Sequence, residues 1–173
     1  MIRGISGACA LCLSAAMTQA GTVSIGFEGP HEGAAPSEMS EDGYRIVTRD
    51  TMISGPGRSG DGTDGPNEIE GAMGGHGAIA ILRGVPFSLV SLDWQAEGGA
   101  PQVVAEGYLG PRLVARDSFV APAREAGFVT FAAGALAGQV IDRLVLYPQR
   151  DRRGMGALDR VILGDVPGHA PAS

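Results

Sequence analysis

From residue 78 onward the chain is built from short apolar runs rich in Val, Ile, Leu and Phe, cut apart by Gly or Pro at fairly even intervals. Runs this short cannot bury one stripe of a stable helix. Bounded by turn residues and enriched in β-branched and aromatic side chains, they predict strands. The expected strands are AIAIL (78–82), FSLVSLDW (87–94), QVVAEGY (102–108), RLVARDSF (112–119), GFVTF (127–131), QVIDRLVLY (139–147) and ALDRVIL (157–163). TVSIGF (22–27) and YRIV (44–47) add two earlier ones, so about nine are expected. The one helical candidate, APAREAGF, has room for a single turn between Pro122 and Gly127. Many short strands, no long amphipathic helix and no visible repeat period predict an all-β sandwich or jelly roll.

The first twenty residues are of a different kind. Arg3 precedes an apolar run from about Ile5 to Met17, and Thr18 and Ala20 put small side chains three positions and one position before a cut. This is the order of a secretory signal, too short to remain as a membrane anchor. Cleavage is expected after Ala20, leaving a mature chain from Gly21 with no membrane anchor, in the periplasm or outside the cell. Both cysteines, Cys9 and Cys12, fall inside the leader. The remaining chain of roughly 150 residues is long enough to fold around one core without disulfides.

All thirteen basic residues are arginine, against nineteen acidic ones, for a net charge of −6 that becomes one unit more negative when Arg3 leaves. An acidic chain without a basic cluster repels phosphate backbones, so no nucleic-acid partner is expected. Arginine without lysine, together with abundant Ala and Gly, reads as the codon bias of a high-GC bacterium.

Residues 54–77 are dominated by glycine and contain Pro56 and Pro66, so this stretch is expected to be a long loop inside a domain spanning 21–163. Residues 164–173, GDVPGHAPAS, are expected to form a disordered tail.

The order FEG (27–29), FSLVSLDW, VVAEGYLG (103–110), DSF (117–119), GFVTF, VIDRLVLY and ALDRVIL resembles the jelly-roll domains of exported bacterial surface proteins of the exosortase-sorted PEP-CTERM type. The chain departs from them in ending GHAPAS, without a Pro-Glu-Pro motif, apolar helix or basic terminus. The same arrangement is similar to the galactose-binding-like jelly-roll carbohydrate-binding modules of families 6 and 35. That resemblance implies a structural calcium shared between an acid of the first strand and an Asp of the last, here Glu28 and Asp159. Calcium takes six to eight hard oxygen ligands, which two carboxylates and loop carbonyls can supply together. Asp61 and Asp64, in a glycine-rich stretch with Asn67 and Glu68, are secondary metal candidates, although the EF-hand spacing is missing.

Trp94 is the only tryptophan, and an aromatic face packs well on the apolar face of a sugar ring while amides and acids bind its hydroxyls. Trp94, Tyr44 and Asn67 are therefore the candidate ligand-binding set, set against the alternative that Trp94 packs at the sandwich edge. Tyr108 and Tyr147 can help line a face. His31, His76 and His169 have no partner at zinc-binding spacing, and there is no G-x-S-x-G turn. Asp142-Arg143 and Asp159-Arg160 are expected to form cross-strand surface pairs, with Leu144, Leu146 and Ile162 pointing inward.

The sequence thus reads as an exported, non-catalytic binding module for a saccharide or cell-surface polymer, which predicts an exposed Trp94 or Tyr cluster. An envelope or matrix protein that meets other envelope proteins predicts an exposed apolar patch instead. A sandwich-fold hydrolase requires two acids converging in a cleft.

Overall fold

The computed structural model describes residues 21–55, 65–71, 77–96, 101–121, 127–149 and 156–169. The expected signal segment at residues 1–20, Asp61, Asp64, His76 and residues 170–173 lie outside these. The described residues form twelve strands and one 3-10 turn at Gly134–Leu136: β1 (Thr22–Ile25), β2 (Gly33–Ala34), β3 (Glu38–Glu41), β4 (Tyr44–Arg49), β5 (Thr51–Ser54), β6 (Glu68–Gly71), β7 (Ala78–Ala96), β8 (Gln102–Leu109), β9 (Arg112–Val120), β10 (Val129–Ala132), β11 (Ile141–Gln149) and β12 (Gly156–Asp165). Every pairing is antiparallel.

Each of the nine expected strands is present, with two of them fused. AIAIL and FSLVSLDW are the two halves of β7, which bends where Arg83, Gly84, Val85 and Pro86 separate them and changes partners there. Its first half lies between β4 and β11, and its second between β12 and β10. This divides the structure into two layers that share one strand. Sheet one runs β3-β4-β7-β11-β8-β9, and sheet two runs β2-β5-β6-β12-β7-β10, with β1 also beside β12. The result is the expected antiparallel β-sandwich.

Period-two alternation fills the space between the layers. Sheet one contributes Ile46, Ile79, Ile81, Val103, Ala105, Leu144 and Leu146, and sheet two Ile25, Ile53, Ile69, Leu92, Trp94, Leu158, Val161 and Leu163. At the bend Tyr44 meets Phe87 edge-on, with ring centroids 5.2 Å apart. Arg83 there donates to the Tyr44 hydroxyl at 3.0 Å and to Asp165 Oδ1 at 2.6 Å, tying β4 to the end of β12. Burial opposes the charge on Arg83, but these two bonds outweigh it and hold its pKa above the ordinary value.

The boundaries need two corrections. The expected loop at 54–77 contains β6, whose Glu-Ile-Glu is paired with β5 and β12, and the residues after 163 continue as strand to Asp165 before a turn that closes from His169 N–H to the Val166 carbonyl.

Candidate functional site

Two outer sheet faces carry polar side chains. On sheet one, the register aligns Arg45, Leu82, Arg143 and Tyr108 across β4, β7, β11 and β8. A second row runs Glu38, Val47, Ala80, Val145, Glu106 and Arg116 from β3 to β9. Glu106 is the hub of this face. Its Oε2 accepts the Tyr108 hydroxyl at 2.6 Å, and its charge also acts on the Tyr147 phenol. Its Oε1 lies 3.5 Å from Arg116 Nε. The Arg143 guanidinium sits over the Tyr108 ring, 4.3 Å from its centroid, a cation-π contact that fixes both groups.

The local sequence explains how β8 delivers this pair. Glu106 and Tyr108 are two residues apart, so they share a face, and Gly107 between them faces the core. A Cβ on Gly107 would stand 2.8 Å from Ile141 and 3.0 Å from Leu136. The bond it donates to Glu106, then burial and the Glu106 charge, pushes the Tyr108 phenol up to about 12. Tyr147 is raised chiefly by burial and then by Glu106, with Arg49 and Arg143 opposing. Both phenols therefore stay protonated as donors at neutral pH. At the bend end of the face a cavity of about 350 Å³ is lined by Leu82, Gly84, Pro86, Gly110, Asp142 and Arg143, among others. Asp142 Oδ2 there accepts the Gly110 N–H at 2.8 Å.

The outer face of sheet two is closed. Glu68, Glu70, Asp93, Gln95 and Asp159 alternate with core residues on β6, β7 and β12, yet none is more than 3% exposed. Ser54 donates to Glu70. A bulge in β12 sets two residues, Asp159 and Arg160, opposite the single Asp93, because the register shifts between Leu158 and Val161. Arg160 thus reaches Asp93 at 2.9 Å instead of pointing inward. The expected exposed pair is corrected accordingly: Asp159 is fully buried, and the inward residues are Val161 and Leu163 rather than Ile162.

The expected ligand-binding set is not assembled as a surface. Trp94 is fully buried opposite Leu158, with its indole N–H on the Pro101 carbonyl at 3.3 Å, so the packing alternative is correct and no ring face meets a sugar. Tyr44 is 1% exposed at the bend, where burial raises its phenol. Asn67 spends its amide on the carbonyls of Phe27 at 3.3 Å and Pro30 at 2.9 Å, while its backbone N–H donates to Glu28 Oε1 at 3.1 Å.

The placement of the expected metal pair, Glu28 and Asp159, is set by two strands that lie beside each other. β1 does lie beside β12, with Ile25 opposite Val161. Beyond it Phe27 adopts a left-handed conformation, φ 62°, and is buried, while the Gly26 and Phe27 N–H groups donate to the Glu41 carboxylate. This turn leaves Glu28 exposed, against Gly65, where a Cβ would stand 2.3 Å from its carboxyl carbon. Asp159 is buried on the other strand, and among the described residues no three His, Cys, Asp or Glu side chains form a metal-ligating group.

The chain matches no family model and no curated protein sequence. Its structure is similar to a family 29 carbohydrate-binding module, with a TM-score of 0.50 and 15% identity over 84% of this chain and 89% of that one. Two point mutants of the family 29 module CBM29-2 align at TM-scores of 0.48 and 0.46 and 16% and 17% identity, over 84% of this chain and 92% and 93% of theirs. At these identities the likeness is one of fold.

Proposed function

We propose that this chain is a non-catalytic saccharide-binding module whose binding surface is the outer face of sheet one. The observation that carries the reading is the cluster of Tyr108 and Tyr147 on the single carboxylate Glu106, with Arg143 over the Tyr108 ring. Aromatic edges and faces beside fixed donors and acceptors are what a sugar requires, since each ring has apolar C–H patches and a rim of hydroxyls. The centre of the face is low, because Ala80 and Val145 lie between Val47 and Glu106 in the register. The fold of the family 29 module supports the same reading.

Binding rather than cleavage fits the carboxylates. Glycoside hydrolysis needs two acids facing the scissile bond. On this face Glu106 is central, while Glu38 is tied to Arg45 at 3.0 Å on the edge strand. On sheet two Glu68, Glu70, Asp93 and Asp159 are buried, and Asp165 is paired with Arg83. The matrix reading looks for an apolar patch, and among the described residues the exposed large apolar side chains Val90, Leu109, Leu113, Val120 and Val140 are distributed over β7, β8, β9 and the approach to β11. Affinity electrophoresis through gels containing plant and microbial polysaccharides tests the proposal. At least one polymer should retard the protein, and Tyr108→Ala should abolish the retardation while leaving the unfolding transition in place; no retardation by any polymer refutes it.

Export and a structural calcium are separate parts of the proposal. For export, the mass of the native protein should correspond to a chain starting at Gly21, in the periplasm or medium. For calcium, the adjacency of β1 and β12 supports the pair Glu28 and Asp159, with carbonyl oxygens completing the six to eight ligands. Calcium at 100 times its dissociation constant should add about 2.7 kcal/mol to stability, lost in Asp159→Asn. A melt unchanged by calcium and by chelator removes the metal from the proposal.

A further inference from the structure

We propose that the sheet-one face selects a polyuronate, a polysaccharide whose sugar rings carry carboxylates, and that Arg143 with the cavity at the β7 bend is its anionic subsite. The inference deepens the saccharide-binding reading and rests on it. Its first ground is charge. The chain is acidic, at −6. Yet four of the seven arginines among the described residues, Arg45, Arg49, Arg116 and Arg143, lie on this one face. Arg45 and Arg116 are paired with Glu38 and Glu106 in the two rows, which leaves Arg49 and Arg143 as the surplus positive charge of the face. An acidic protein that gathers its cations on its open face attracts a ligand of opposite sign there.

Spacing is the second ground. In sheet one the order β4-β7-β11-β8-β9 places Arg45, Arg143 and Arg116 on every second strand. At about 4.8 Å per strand, successive guanidinium-bearing positions are roughly 10 Å apart across the sheet. A single anion has no use for such a series, whereas an extended polymer with regularly repeated charges, lying across the strands, meets each member in turn.

Arg143 supplies the third ground. It is half-buried, and its guanidinium is held over Tyr108 beside a cavity of about 350 Å³. A planar guanidinium held in place has lost less freedom to give on binding, and its fork matches a carboxylate through paired N–H bonds. Asp142 also lines the cavity, but its carboxylate is bonded to the Gly110 N–H. Arg83, the other cation there, is bound to Asp165 and Tyr44. Arg143, held over Tyr108, is therefore the cation at this end that a ligand carboxylate meets.

The test measures binding of the full chain by isothermal titration to polygalacturonate and alginate, to neutral glucomannan and galactan, and to dextran sulfate and single-stranded DNA. Polyuronates are expected to bind at least tenfold more tightly than the neutral polymers at 50 mM salt. That advantage should shrink sharply by 1 M salt, where the screening length falls to about 3 Å. Arg143→Gln should cost the polyuronate tenfold or more, and Arg143→Lys, which keeps charge without the fork, most of the same. The double variant Arg45→Gln/Arg49→Gln, at exposed positions, should fold normally and lower polyuronate affinity several-fold. Equal or tighter binding of neutral polymers overturns the inference and leaves the saccharide reading standing. Equal binding of dextran sulfate or DNA overturns it in favour of unselective polyanion attraction. Failure of every polymer, neutral ones included, refutes the saccharide reading itself.

Discussion

The outer faces of the two sheets are written in similar residues, with carboxylates and arginines alternating with core side chains, and they meet solvent in opposite ways. On sheet one Arg45, Arg49 and Arg116 are exposed and Glu106 and Tyr108 half-buried, whereas on sheet two Glu68, Glu70, Asp93 and Asp159 are all but closed off. A buried carboxylate is costly unless it is paired and bonded, so the second face must be satisfied inside the protein and contributes to holding it together. The first face keeps its polar groups within reach of a ligand. Polar alternation alone does not mark a binding surface; what lies over it decides.

The comparison breaks most severely at Trp94. Replacing it with Ala should destabilise the fold by about 3–5 kcal/mol, since the ring is wholly buried. Tyr108→Ala, on the open face, should cost stability far less and binding far more. If equilibrium denaturation finds Trp94→Ala nearly neutral, while polysaccharide binding disappears, the assignment of the two faces is reversed.

The next effect belongs to the bulge. Asp93→Ala strands the Arg160 guanidinium over a closed face, and breaking a buried pair in this way costs about 3–5 kcal/mol. Arg160 is 31% exposed, so water offsets part of the loss and the low end of that range is expected. Urea unfolding measures it. Saccharide affinity of the folded protein should not change; a loss of affinity at unchanged stability would place the binding surface on sheet two.

These contrasts also mark what could be read from the chain. The apolar alternation of β4 and of β7 through β12 is strong enough to name each strand, and Leu144 and Leu146 point inward as expected. The short strands β2, β3, β5 and β6 were not legible, because EMSE and EIEG carry acids where a strand pattern needs apolar residues. Trp94 could have been placed from its neighbours: Asp93 and Gln95 flank it, so on a strand the ring faces away from both, toward the core. Glu106 and Tyr108 show their shared face in the sequence, but Tyr147 joins them only through the β8–β11 register. The bulge at Asp159-Arg160 has no local signature, since it depends on how β12 meets β7.

The smallest effect is also the most specific to the open face. Tyr108 is pushed up to about 12 because its O–H donates to Glu106 Oε2 at 2.6 Å, and an unfolded tyrosine titrates near 10. Between these values the unfolded chain releases the phenolic proton and the folded chain keeps it, so stability falls as pH rises. This contribution is present in full below about pH 10 and is lost as pH climbs through about 12. The opposite sign would require a phenolate stabilised by Arg143, whose charge does lower the pKa but is outweighed by the bond to Glu106. Glu106→Gln separates the two. With the carboxylate charge gone and Arg143 still over the ring, Tyr108 should titrate closer to 10, visible as phenolate absorbance appearing at lower pH, and the alkaline loss of stability attributable to this residue should flatten. If the absorbance titration of Glu106→Gln overlays that of the parent protein, Glu106 is not the hub of the face, and the tyrosine cluster on which the saccharide reading rests is lost with it.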